Sequence, residues 1–126
     1  MKSRRLIRLC AGAWTIAVLG ILSIPGSELP ELPAFGLDKL AHFVIFAILG
    51  VLWFLSFEDR FKRPGVAVLI AGILFAGFGE VYQGLLPINR TPDIFDVLAN
   101  CVGVLIAVVL VQTLRSRREA SKSVSQ

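Results

Sequence analysis

The amino-acid sequence predicts an all-α, polytopic membrane protein: a bundle of four transmembrane helices with both termini in the cytoplasm. Of its 126 residues, 56% are hydrophobic and only 17% are charged, whereas soluble domains are about half apolar and about a quarter charged. The mean hydropathy is +0.76. A soluble globule of this size cannot hide so many apolar side chains, and intrinsic disorder requires the opposite composition.

Four apolar segments are long enough to span a bilayer, which takes about 17–25 helical residues. They cover residues 6–24, 40–57, 66–86 and 94–114. Proline and glycine stand at the borders of the segments, as expected of helix ends. The first segment has a basic start like a signal peptide, but it is long and no small-residue cleavage site follows, so we expect a retained helix.

The segments predict one four-helix transmembrane domain over residues 1–115, followed by a disordered, basic and Ser-rich cytoplasmic tail over residues 116–126. Eleven of the thirteen Lys and Arg residues lie in the N-terminus, the 58–65 loop and the tail. By the positive-inside rule, these three parts face the cytoplasm of an inner (cytoplasmic) cell membrane. The basic residues occur in short runs beside apolar segments, which does not indicate binding to nucleic acid.

The two cysteines, Cys10 and Cys101, do not indicate a disulfide. The predicted topology places them near opposite faces of the bilayer, far beyond the reach of an S–S bond. We expect both to be small buried apolar residues with no disulfide partner.

Polar residues within the apolar segments concentrate at the outer side of the predicted membrane. Ionisable groups in a transmembrane segment are costly and indicate a functional site. The candidates are Asp38, Lys39, His42, Glu80, Gln83, Arg90, Asp93, Asp96 and Asn100. Residues three or four apart share a helix face, so we expect these faces to point inward and to form a polar pocket in the outer half of the bundle.

Several candidates have an equally good structural interpretation. Thr91, Pro92 and Asp93 fit a helix start, with a capping hydroxyl, a proline in the first turn and an acid at the positive end of the dipole. Asp38 can cap the second helix, and Lys39 can extend its ammonium to the membrane interface. The deeper candidates can also form a hydrogen-bond network that only holds the helices together.

The polar residues fall into three spaced motifs: Asp38-Lys39-x-x-His42-x-x-x-Phe46-x-x-Leu49-Gly50, Glu80-x-x-Gln83 and Arg90-x-x-Asp93-x-x-Asp96-x-x-x-Asn100-x-x-Gly103. Together they resemble the VanZ-like family of small bacterial integral membrane proteins. The resemblance covers roughly residues 36–110. The resemblance implies a cell-envelope protein, since the family's namesake is linked to resistance to the glycopeptide teicoplanin, but it implies no particular reaction.

Three functions follow from these residues. The pocket can bind or act on an amphiphilic envelope component, such as a lipid-linked or lipopeptide-like ligand, with Lys39 and Arg90 contacting an anion. If chemistry occurs, Asp38 can orient His42 as a general base. Alternatively, the chain is a non-enzymatic structural or partner subunit.

The third function is a metal site. His42, Glu80, Asp93 and Asp96 are suitable in kind for zinc or manganese. Their spacing matches no known zinc signature, so we expect no metal and no other cofactor.

Overall fold

The computed structural model describes residues 2–28 and 36–124, and within them it contains four long helices and no strand. The helices are α1 (Lys2–Leu22), α2 (Leu37–Phe57), α3 (Pro64–Leu85) and α4 (Ile94–Val124), and a short 3-10 helix, Gly26–Glu28, follows α1. All four are long and apolar enough to cross a membrane. The predicted all-α, four-helix membrane bundle is therefore confirmed, while the orientation of its termini stays a prediction.

The helices alternate in direction, so each end of the bundle collects residues from all four. The polar end, as we call it, contains the C-terminal ends of α1 and α3 and the N-terminal ends of α2 and α4. The basic end contains the other termini of α1–α3, the 58–63 loop and the part of α4 that follows Val111. Eleven Lys and Arg residues belong to this end of the bundle, compared with three Asp and Glu residues.

Helix α4 is longer than the sequence predicts. It continues through residues 116–124, where we expected a disordered tail, and residues 125 and 126 lie outside the described part. No glycine or proline interrupts this stretch, and Arg, Glu, Ala and Lys all favour helix. At ~1.5 Å per residue the last turns extend past a hydrocarbon core of ~30 Å.

The core lies mainly between α2 and α4, which form the most extensive contact in the bundle. Phe46 and Leu49 of α2 pack there with Val104 and Val108 of α4, and all four are almost fully buried. A Cβ placed on Gly103 would collide with the backbone carbonyl oxygen of Phe43. Glycine at this position therefore lets the two backbones approach closely, as small residues do between membrane helices.

The outer surface of the helices is apolar, as a lipid-facing surface must be. More than a third of the surface of each of these large side chains is exposed: Leu9, Ile16, Leu40, Val44, Ile70, Ile73, Leu74, Leu105, Ile106, Val109 and Leu110. In water such a belt would drive aggregation, whereas acyl chains cover it at no cost.

Helix α1 packs mainly on α2, has little contact with α3, and has no contact region with α4 among the described residues. Two indole N–H groups fasten it: Trp14 Nε1 donates to the carbonyl oxygen of Ile45 at 3.1 Å, and Trp53 Nε1 donates to Thr15 Oγ1 at 3.0 Å. These bonds satisfy polar groups that lipid cannot satisfy.

Candidate functional site

The ammonium group of Lys39 is the centre of the polar end. Its Nζ lies 2.8 Å from Asp38 Oδ2, 2.7 Å from Asp93 Oδ2 and 2.6 Å from Asp96 Oδ1. The first turn of α2 carries Lys39, and the start of α4 carries two of its three partners. The side chain is only 18% exposed, because the three carboxylates surround its ammonium group. It also has no free donor of its own for an anionic ligand, because an ammonium has three N–H groups.

His42 lies one turn deeper in α2 and is buried. Its Nδ1 is 3.1 Å from Asn100 Oδ1, and its Nε2 is 3.6 Å from Asp96 Oδ2. If Nδ1 of the neutral ring donates to Asn100, Nε2 keeps a lone pair that can accept a hydrogen bond from a ligand. In the charged ring, Nε2 carries a proton and pairs with Asp96 instead. The expected partnership with Asp38 is not formed, because Lys39 holds that carboxylate at the helix surface.

Glu80 brings α3 into the cluster. Its side chain is buried, and Oε2 accepts the backbone N–H of Asp93 at 2.9 Å. The other oxygen, Oε1, is buried and has no hydrogen-bond partner among residues 2–28 and 36–124. A buried polar atom left without a partner costs about 1–3 kcal/mol, and more for a charged group.

Asp93 both caps helix α4 and binds Lys39. Its Oδ1 accepts the N–H of Phe95 at 2.8 Å, so it caps α4, which starts at the next residue. Its other oxygen binds Lys39, and this hydrogen bond lowers the pKa of Asp93 below its usual value. Thr91 and Pro92 precede the helix and supply no cap. Asp38 supplies none for α2 either, whose N-terminal cap residue is Gly36, with a φ of 110°.

We call Lys39 and its three carboxylate partners, Asp38, Asp93 and Asp96, the Lys39 hub. Two predicted site residues lie outside it. Gln83 is buried, and its Nε2 donates to the carbonyl oxygen of Leu22 at the end of α1, so it joins α3 to α1. Arg90 lies in the loop between α3 and α4 and forms no ion pair with any described residue; its Nη1 is buried without a partner. The structure therefore brings together Asp38, Lys39, His42, Glu80, Asp93, Asp96 and Asn100, whereas Gln83 and Arg90 form no hydrogen bond or ion pair with this group within the described part of the chain.

Two groups of polar contacts in the structure are not predicted by the sequence. At the polar end, Ser23 Oγ and Tyr82 Oη share a hydrogen bond of 2.9 Å between α1 and α3. At the basic end, Glu58 pairs with Arg4 and Arg115. Glu58 follows an apolar segment directly and precedes the basic residues Arg60, Lys62 and Arg63, which is the signal that points to such a cluster.

The cluster offers carboxylate acceptors and one imidazole, carried by α2, α3 and the start of α4. Within residues 2–28 and 36–124, no group of three or more His, Cys, Asp or Glu side chains is placed to hold a metal ion. The cluster carries four carboxylates, on Asp38, Glu80, Asp93 and Asp96, against the ammonium of Lys39, and the guanidinium of Arg90 lies in the loop that precedes α4. It is therefore suited to a ligand that supplies hydrogen-bond donors.

Comparison with known proteins gives the family. A protein of Schizosaccharomyces pombe named uncharacterized protein C11E3.10 is 31% identical over 102 residues, which cover 80% of this chain and 62% of that protein. The chain thus spans less than two thirds of that relative, and no solved structure matches it. The VanZ/LLP1 family profile matches residues 5–115. The chain therefore belongs to the VanZ/LLP1 family. Its four helices that are long and apolar enough to span a bilayer indicate a multi-pass membrane protein of that family.

Proposed function

We propose that the cluster at the polar end binds the head group of an amphiphilic membrane molecule. The observation that carries the proposal is Glu80 Oε1, which is buried without a partner in the part of the chain that the structure describes. A network that served packing alone gains nothing from leaving a carboxylate oxygen unsatisfied. A ligand that donates a hydrogen bond to Oε1 removes that cost.

The charges of the cluster define the head group. Lys39 already binds three carboxylates, so the anion contact expected from it has no support, and Arg90 is the cation that remains. The excess of carboxylates favours hydroxyl or ammonium groups, as carried by sugars and amines of lipid-linked or lipopeptide-like molecules. The depth of His42 and Asn100 favours an amphiphile, whose tail stays in the bilayer while its head enters the cluster.

The cellular setting is part of the proposal. The positive-inside rule supports a cytoplasmic membrane with the basic end inside, which turns the polar end outward. A role in the cell envelope, including response to teicoplanin, rests on the family resemblance. The relative described above comes from a yeast, so the bacterial source expected from the resemblance stays a prediction.

The test is complementation of a deletion strain whose teicoplanin susceptibility has changed. Glu80→Gln keeps the size of the side chain and the bond to Asp93 but makes the second site a donor. We expect Glu80→Gln to leave membrane abundance unchanged and to lose complementation. Glu119→Gln, which alters an exposed acid on α4, is the matched control and should complement fully.

Complementation by Glu80→Gln at normal abundance contradicts the proposal. His42→Asn provides a second variant with the same readout, because it removes the imidazole while keeping a polar side chain beside Asn100. Both variants are compared at equal membrane abundance, so that a folding defect is not mistaken for lost binding.

A structural role is the second candidate, and the Lys39 hub favours it. Three ion pairs at one ammonium and the Gln83 bond to α1 tie the helix ends together. In that case Glu80→Gln and His42→Asn lower abundance and complementation in proportion. A variant that is abundant but inactive separates the two functions.

A further inference from the structure

The basic end contains a cavity that the polar cluster does not involve. It has a volume of about 320 Å³ and lies between the first half of α1 and the end of α2. Its lining combines two arginines, small residues and aromatic rings: Arg8, Ala11, Gly12, Thr15, Trp53, Ser56, Phe57 and Arg60.

The two arginines give the cavity a positive charge. Arg8 binds Asp59 through Nη2 at 2.5 Å, and its Nε is buried without a partner among the residues that the structure describes. Arg60 makes no side-chain hydrogen bond or ion pair with any described residue. The nearby acids are already paired: Asp59 with Arg4 and Arg8, and Glu58 with Arg4 and Arg115.

The other donors of the cavity are already used. Thr15 Oγ1 donates to the carbonyl oxygen of Ala11, Ser56 Oγ donates to that of Leu52, and the indole of Trp53 donates to Thr15. Only guanidinium N–H groups therefore remain to bind a ligand. Guanidinium groups bind phosphate through parallel hydrogen bonds.

The remaining wall is apolar, and there is open space beside α1. A Cβ on Gly12 would meet no atom within 4 Å, and Ala11, Trp53 and Phe57 continue the surface. Arginines beside an apolar groove near the end of a membrane helix match a phospholipid, whose phosphodiester lies at the interface and whose chains run inward.

We propose that this cavity binds one anionic phospholipid, with its phosphodiester between Arg8 and Arg60 and the first carbons of its chains against Gly12 and Trp53. Electrostatic attraction of the whole basic end brings anionic lipid near. The cavity then holds one molecule in place. This site is separate from the head-group site at the polar end and does not depend on it.

Trp53 reports on the cavity directly. In a Trp14→Phe background it is the sole tryptophan, since the chain has two. The full chain is reconstituted in phosphatidylcholine nanodiscs that contain an equal fraction of brominated phosphatidylglycerol or of phosphatidylcholine with the same brominated chains. We expect stronger quenching of Trp53 by the phosphatidylglycerol, and we expect this excess to be lost in Arg60→Gln and in Gly12→Leu.

Matched variants distinguish binding of the lipid in the cavity from diffuse electrostatic attraction of anionic lipid to the basic end. Arg63→Gln removes the same charge from an exposed residue outside the cavity and should keep the excess. Gly20→Leu, also in open space on α1, should keep it too, and circular dichroism verifies that every variant is helical.

Three outcomes would overturn the assignment. Equal quenching by the two lipids shows that no anionic lipid is selected. An equal loss in Arg63→Gln and Arg60→Gln shows diffuse attraction only. Removal of the excess by inorganic phosphate shows that the occupant is a soluble phosphate rather than a lipid.

Discussion

At the scale of single residues, the structure concentrates its polar contacts on very few side chains. Lys39 binds three carboxylates, and Asp93 caps a helix, binds Lys39 and donates its N–H to Glu80. One substitution at such a residue breaks several contacts at once. The effects of neighbouring substitutions are therefore not expected to add.

Replacing Lys39 tests the hub. Lys39→Met keeps the length of the stem but leaves three carboxylates without a cation, so we expect a loss of roughly 1–3 kcal/mol in the free energy of unfolding, because the hub is only partly hydrated. Unfolding followed by circular dichroism in detergent measures it. Lys62→Met, at an exposed position, is the control, and an equal effect of both would show that the hub contributes nothing.

The charge of Asp93 makes stability depend on pH. The hydrogen bond from Lys39 lowers the pKa of Asp93 below 3.8. A carboxyl group with a lowered pKa in the folded state stabilises the fold above its ordinary pKa, and this contribution is lost as the pH falls through the folded value. Asp93→Asn removes the charge but keeps an acceptor for the cap.

We therefore expect the unfolding temperature of Asp93→Asn to fall less than that of the original chain between about pH 5 and pH 3. Glu28→Gln, which alters an exposed acid with no ion pair among the described residues, should follow the original profile. Identical profiles for Asp93→Asn and the original chain would contradict the role of the Lys39 contact.

At the scale of helices, the closest approach lies between α2 and α4. Gly103→Ala places a methyl group against the carbonyl oxygen of Phe43, where neither backbone can yield without moving a helix. We expect a loss of about 1–3 kcal/mol in the free energy of unfolding, typical of overpacking. Gly77→Ala on α3 is the control, because its Cβ would meet nothing within 4 Å. Equal stability of the two variants would show that the α2–α4 contact tolerates expansion.

Hydropathy predicts the number of helices because the signal is local: an apolar run of sufficient length, interrupted by proline and glycine. The end of α4 was not predicted, since a polar, Ser-rich stretch fits a tail as well as a helix. The set of polar residues was predicted from the cost of placing them in lipid. Their partners were not, because spacing along one helix pairs His42 with Asp38, whereas the packing of α2 on α4 pairs it with Asn100.

At the scale of the whole molecule, the two ends of the bundle differ in charge, and this predicts its orientation. In a chain with both native cysteines replaced by alanine, we expect Asn89→Cys to react with an impermeant maleimide in intact cells. We expect Ser121→Cys to react only after the membrane is permeabilised. The reverse pattern would place the polar end in the cytosol and would contradict the positive-inside assignment.

The Lys39 hub and the Gly103 contact act on the same pair of helices, so α2 and α4 are expected to move as one rigid body. By contrast, α1 meets α3 over a small area, where two hydrogen bonds, Ser23–Tyr82 and Gln83–Leu22, close the seam. We therefore expect thermal fluctuations to separate the helices mainly between α1 and α3. A cross-link between α1 and α3 should then suppress this separation and leave the α2–α4 contact unchanged.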